Sequence, residues 1–89
     1  MAKKIVSIVH PFMLKQQVYV YEDGNKIDVV ETQTSELPNI IAETANKYEI
    51  TDINLGGSKR YNKALGTKIS ESYLSKYSTK GKQIEIKMI

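Results

Sequence analysis

Gln17-Val18-Tyr19-Val20-Tyr21-Glu22, Asp23-Gly24-Asn25 and Lys26-Ile27-Asp28-Val29-Val30-Glu31-Thr32 form the stretch on which the fold turns. In its first segment the side chains alternate, Val18 and Val20 on one face and Tyr19 and Tyr21 on the other, the period of a β-strand. Asp23-Gly24-Asn25 supplies residue types that accept a tight reversal, and Lys26 to Thr32 returns rich in β-branched residues. The stretch predicts an antiparallel hairpin, and the rest of the chain has to be arranged around it.

Upstream, Ile5-Val6-Ser7-Ile8-Val9 is a short and nearly unbroken apolar run, as in a strand covered on both faces. His10-Pro11 ends it, because proline cannot donate to a strand ladder. Downstream, Thr34-Ser35 before Glu36-Leu37-Pro38 reads as a helix start, with a hydroxyl to cap the free amides and a proline in the first turn. Leu37, Ile40, Ile41, Ala45 and Tyr48 then form one apolar stripe. Thr51 to Leu55 reads as a fourth strand broken by Gly56-Gly57, and Ser58 as the cap of a second helix running to about Tyr77. In that helix Tyr61, Leu65, Ile69 and Tyr73 recur every four residues, supported by Ala64, Leu74 and Tyr77. Gly66 weakens it by about 1 kcal/mol relative to alanine. After Lys80-Gly81-Lys82, Ile84, Ile86 and Met88 alternate with Glu85 and Lys87, a last strand with one wet face.

The order β-β-β-α-β-α-β predicts one α/β domain over residues 1–89, with a mixed five-stranded sheet and the first strand near its middle. This element order resembles the ribonuclease-H-like fold over nearly the whole chain, and the resemblance implies a sheet ordered 3-2-1-4-5. It also implies metal-binding carboxylates on the first strand, the first helix and the end of the fourth strand. Here the first strand offers Ser7, the fourth ends in Asn54-Leu55, and only Glu43 on the first helix stands near such a site. Asp52 lies at the wrong end of its strand. One carboxylate lacks the charge that two-metal phosphoryl transfer requires, so the expectation is a binding protein with no enzymatic activity and no cofactor.

Composition points the same way. Of the 89 residues 26% are charged and none is cysteine, which removes disulfides, thiolate metal sites and thiol nucleophiles and favours a reducing cytoplasm. The apolar run after Lys3-Lys4 is too short for a signal peptide, and no segment approaches the roughly 20 apolar residues of a membrane span. His10 is the single histidine, beside a proline at a strand end, which is a structural setting more than that of a general base. The lysine, asparagine, serine and isoleucine-rich vocabulary and small size are similar to those of bacteriophage and mobile-element proteins of low-GC bacteria.

Charge is unevenly spread. Residues 1–56 carry 5 basic and 8 acidic side chains, a balance of −3, whereas residues 57–89 carry 8 and 2, a balance of +6. The sharpest anomaly is Ser58-Lys59-Arg60-Tyr61-Asn62-Lys63, where cations crowd the positive end of a helix dipole that ordinarily attracts acidic residues. Gly56, Gly57, Ser58, Lys59, Arg60 and Lys63 are therefore a candidate anion site for nucleic acid, with Tyr61 either stacking on bases or starting the apolar stripe. A plain solvated turn accounts for the same lysines. Lys76, Lys80, Lys82 and Lys87 extend the basic region if they share its face. The second candidate surface is apolar: Phe12, Met13 and Leu14 in a connecting loop either bind a protein partner or fold back over the end of the sheet. A twin chain pairing through the exposed edge of the last strand is a further expectation.

Overall fold

The computed structural model describes residues 2–77 and 83–89. The strands are β1 (Lys3–Val9), β2 (Lys15–Glu22), β3 (Asn25–Gln33), β4 (Asp52–Gly57) and β5 (Glu85–Met88), and the helices are α1 (Leu37–Tyr48) and α2 (Lys59–Tyr77), with a 3-10 turn at Thr34–Glu36 ahead of α1. One mixed sheet is formed in the spatial order β3-β2-β1-β4-β5. β1 is antiparallel to β2 and parallel to β4, and β4 is parallel to β5. Only the two hairpins reverse the chain without a helix, because parallel neighbours need a crossover.

Alternation decides which face is covered. Ile5, Val9, Val18, Val20, Ile53 and Leu55 point to the helices and are buried together with Leu37, Ile41, Ala42 and Ala45 of α1 and Leu65, Ile69 and Tyr73 of α2. Each such aliphatic side chain contributes about 1.5–3 kcal/mol on leaving water, so this one cluster dominates the stability of the chain. Both helices lie on the same face, joined by a 2.9 Å hydrogen bond from Ser72 to Asn39. The short dimension of the molecule, 20 Å, is that of one helix layer on one sheet.

Several boundaries differ from the sequence expectation for local reasons. Gly56 and Gly57 do not break β4 but complete it, paired with Ile8 and Val9 of β1. Gly57 has φ +101°, and a Cβ there would collide with the Val9 carbonyl oxygen, so glycine is required by close backbone approach. No side-chain hydroxyl caps α1; the Thr34 hydroxyl is drawn instead to the β1–β2 connection. On α2, Ala64 and Leu74 are exposed, while Asn62 and Gly66 take the buried positions of the stripe. A Cβ on Gly66 would meet Ile86 at an ordinary 3.5 Å. The Lys80-Gly81-Lys82 segment lies outside the described residues.

Candidate partner-binding site at the carboxyl ends of β1 and β4

β1 and β4 run parallel, so their carboxyl ends emerge side by side, and both candidate surfaces of the sequence fall at this end of the sheet. The connection from β1 to β2, residues 10–14, carries the apolar one. It does not fold back over the sheet: Phe12 is 101% exposed, Leu14 87% and Met13 60%. The folded-back alternative is thereby overturned, since three apolar side chains reach into solvent where a five-residue connection gives them no core to meet.

Exposure here is not looseness. Gln16, 2% exposed, sits under the loop and holds it by three hydrogen bonds. Its Oε1 accepts from the His10 amide at 2.9 Å, and its Nε2 donates to the His10 carbonyl at 2.6 Å and to the Thr34 hydroxyl at 2.9 Å. Thr34 in turn donates to the Met13 carbonyl, while its own amide bonds the Leu14 carbonyl at 2.9 Å. The Met13 amide closes a turn on the His10 carbonyl at 3.0 Å. A buried amide side chain has four hydrogen-bonding positions, and Gln16 spends three on fixing this backbone. It is the His10 backbone that Gln16 holds; the residue itself is exposed.

Between the loop, the start of α1 and the first half of α2 lies a cavity of about 690 Å³ lined by Phe12, Met13, Leu14, Pro38, Tyr61 and Leu65, with Lys15 and Lys68 among its walls. Tyr61, half-buried, joins this lining and packs against the core. The hollow is apolar within and cationic at its margin.

The basic candidate residues stand next to it. Ser58 caps α2 by accepting from the Tyr61 amide at 3.3 Å, and the first turn of the helix contains no acidic residue. Lys59, Arg60 and Lys63 are exposed and make no ion pair among the described residues. Beneath them Asn62, 1% exposed, donates to the Gly56 carbonyl at 2.8 Å, and its Oδ1 has no partner. An oxygen acceptor in that position favours a donor such as water over an anion. Of the other lysines, Lys87 belongs elsewhere: it faces away from the helices and pairs with Asp52 at 3.6 Å and Glu85 at 3.9 Å. Lys76 lies in the last turn of α2, and Lys80 and Lys82 are outside the described residues.

The positions at which the ribonuclease-H-like resemblance would place carboxylates hold other chemistry. Ser7 is buried and donates to the Gln17 carbonyl at 2.9 Å. Asn54 is buried and donates to the Ile5 carbonyl at 3.3 Å and to Asp52 at 3.3 Å. Glu43 is exposed on α1. Among the described residues no three His, Cys, Asp or Glu side chains converge as a metal site would require. No helix among them is long and apolar enough to cross a membrane.

The Gln16 brace was not legible beforehand. Its only sequence signal was a polar residue in phase with Val18 and Val20, on the face where an apolar one was due.

The chain is thus an α/β protein with a five-stranded mixed sheet covered on one face by two helices. No family model and no curated protein matches its sequence. Among solved structures it is similar to a protein of Bacteroides thetaiotaomicron VPI-5482 described as having an actin-like ATPase fold and unknown function, with a TM-score of 0.64 and 13% identity. The match covers 99% of this chain and 32% of that one, so the likeness concerns the fold and about a third of the larger protein.

Proposed function

We propose that this chain is a docking module without catalytic activity, built on a ribonuclease-H-like scaffold of the kind to which actin-like ATPase folds are related, and that Phe12, Met13 and Leu14 are its prong for a protein partner. The observation that carries this reading is a fully exposed Phe12 on a loop held by a buried glutamine. Large apolar side chains on a backbone that is already held cost little backbone entropy to bind, which is how interface anchors gain affinity. Met13 and Leu14 offer nothing for base stacking or phosphate binding, whereas both suit the apolar centre of a protein interface. Lys68 in the adjoining hollow, with Lys59, Arg60 and Lys63 at the start of the same helix, favours a partner whose apolar segment is flanked by acidic residues; Lys15, also in the hollow, already approaches Glu31 at 3.8 Å.

A second reading is supported by Lys59, Arg60 and Lys63 alone, which make no ion pair among the described residues: a nucleic-acid-associated accessory protein using Gly56, Gly57, Ser58, Lys59, Arg60 and Lys63. Such contacts weaken by about one log unit per log of salt for each phosphate neutralised.

Two assays separate the readings. A photoreactive p-benzoylphenylalanine at position 12, in the cells that make the protein, is expected to give a discrete protein adduct that is absent when the reporter replaces exposed Thr67. Adducts to nucleic acid, or equal labelling from both positions, count against docking. Fluorescence anisotropy with single- and double-stranded oligonucleotides across a salt series tests the second reading. Steeply salt-dependent binding lost in the folded triple variant Lys59→Glu, Arg60→Glu, Lys63→Glu supports it, and absence of binding at low salt removes it.

A further inference from the structure

The face of the sheet turned away from the helices has no covering layer among the described residues. Pairing places its side chains in rows across the strands. One row runs Lys26, Tyr21, Lys4, Asp52, Glu85 from β3 to β5; the next runs Val29, Tyr19, Val6, Asn54, Lys87; and the row nearest the prong holds Glu31, Gln17, Ile8 and Gly56, with Ile89 just beyond β5. Ile8 and Ile89 lean together over Gly56 and remain 44% and 60% exposed, and Val29 is 44% exposed.

Two properties separate this face from the prong end. It carries both signs of charge, Lys4, Lys26 and Lys87 against Glu31, Asp52 and Glu85, where a nucleic-acid surface would carry one. The signs are unevenly divided: in the Lys4 row the basic groups lie toward β3 and the acidic ones toward β5, and although Glu31 of β3 pairs with Lys15 and Lys87 of β5 with Asp52 and Glu85, the β3 side stays net basic and the β5 side net acidic. A patch whose net charge changes sign across one line is complementary to its own copy turned about that line. The prong end, where Lys15 pairs with Glu31 but Lys59, Arg60, Lys63 and Lys68 add further cations, is net basic and complements itself less well.

The β3 edge offers a twin chain less. At the free edge of β3 the ladder slips by one residue at Ile27, and the Asp28 carboxylate takes the Val29 amide at 2.8 Å. Bulges and inward-turned charges of this kind blunt an edge against pairing.

We propose that the open sheet face binds the same face of a second copy about a two-fold axis running along the strands between β1 and β4. That axis sets Lys4 opposite Asp52 of the second copy and Tyr19 opposite its Lys87. It also brings the two Ile8 side chains together in the row nearest the prong. Sheets packed in this way lie about 10 Å apart with their strands crossing at about 30°. Five strands about 4.8 Å apart and six residues of about 3.3 Å each give a face of roughly 20 by 20 Å, the size of a weak, reversible interface.

Sedimentation equilibrium from micromolar to submillimolar concentration tests this, with circular dichroism confirming that each variant folds. The wild-type chain is expected to reach twice its monomer mass. Lys4→Glu alone and Asp52→Lys alone each weaken association about tenfold or more, and an equimolar mixture of the two restores it, since the mixed pair regains both contacts. Ile8→Lys, at an exposed position on the axis, abolishes association without touching the ion pairs. A monomer at every concentration, a dimer indifferent to both reversals and to Ile8→Lys, or a mixture no tighter than its components overturns the proposal. A dimer lost on Phe12→Ser also overturns it, because association would then belong to the prong.

Discussion

The two ends of the sheet are built from similar materials and treat them oppositely. At the amino end of β1, the Ala2 amide donates to Asp23 at 3.0 Å and Lys3 approaches Glu22 at 3.9 Å. The Tyr48 hydroxyl donates to Asp28 at 2.6 Å, and the ammonium groups of Lys3 and Lys47 lie 6.0 and 5.3 Å from the Tyr48 ring. Charge and aromatic surface there are matched within the chain. At the carboxyl end, Phe12 and Leu14 meet solvent, Lys59, Arg60 and Lys63 make no ion pair among the described residues, and one buried oxygen of Asn62 has no partner. Buried polar groups at that end are spent on fixing the loop's backbone, and apart from Lys15, which approaches Glu31 at 3.8 Å, the side chains named here are left unmatched among the described residues. A rim that satisfies its own charges and rings gives a partner docking there little to gain. One that is rigid and unmatched is where a partner gains most.

If the contrast is real, removing the brace has the largest effect. Gln16→Leu keeps the volume but leaves the His10 amide, the His10 carbonyl and the Thr34 hydroxyl without their shared partner, a loss of about 2–3 kcal/mol readable as a lowered urea midpoint. Gly57→Ala comes next at about 2 kcal/mol, because its Cβ meets the Val9 carbonyl and its φ lies in the region that favours glycine. Both changes strike the carboxyl end.

Tyr48→Phe strikes the other end, and its signature is in pH. The Tyr48 hydrogen bond, with the Val29 amide behind it, holds the Asp28 carboxyl below its ordinary 3.8, and the same bond lifts the Tyr48 phenol above its ordinary 10.0. A depressed carboxyl contributes stability present above about pH 4 and lost as pH falls through the folded value. A raised phenol contributes stability present below about pH 10 and lost as pH rises through its folded value. The wild-type advantage over Tyr48→Phe is therefore expected to be flat through neutrality and to shrink at both extremes. An advantage that changes between pH 6 and pH 8 would assign the bond a different partner.

Much of the scaffold was legible because it rests on periodicity. Val18 and Val20 against Tyr19 and Tyr21, and the stripes of Ile41 and Ala45 or Leu65 and Ile69, can be satisfied in one way only. What escaped depends on distances that no local pattern encodes. Gly56-Gly57 reads as a breaker until the Val9 carbonyl is known to lie against it, and Thr34 reads as a helix cap until the β1–β2 loop is placed beside it. The candidate site divides in the same way. The unmatched cations at Lys59, Arg60 and Lys63 were visible as a local conflict with the helix dipole. Whether Phe12 was core or prong turned on Gln16, a residue with no distinctive local signal.

The smallest expected effect on folding is also the sharpest test of the contrast. Phe12→Ser removes a side chain that is fully exposed and touches no core, so its urea midpoint should be indistinguishable from wild type. If Phe12 is the anchor of a partner interface, the same change should abolish the adduct formed by a second photoreactive reporter at Leu14, while the backbone of the loop stays held by Gln16. A lowered midpoint would mean that Phe12 packs against the chain in solution, returning it to the folded-back arrangement. The carboxyl end would then be as self-satisfied as the amino end, and the reason for seeking a partner there would disappear.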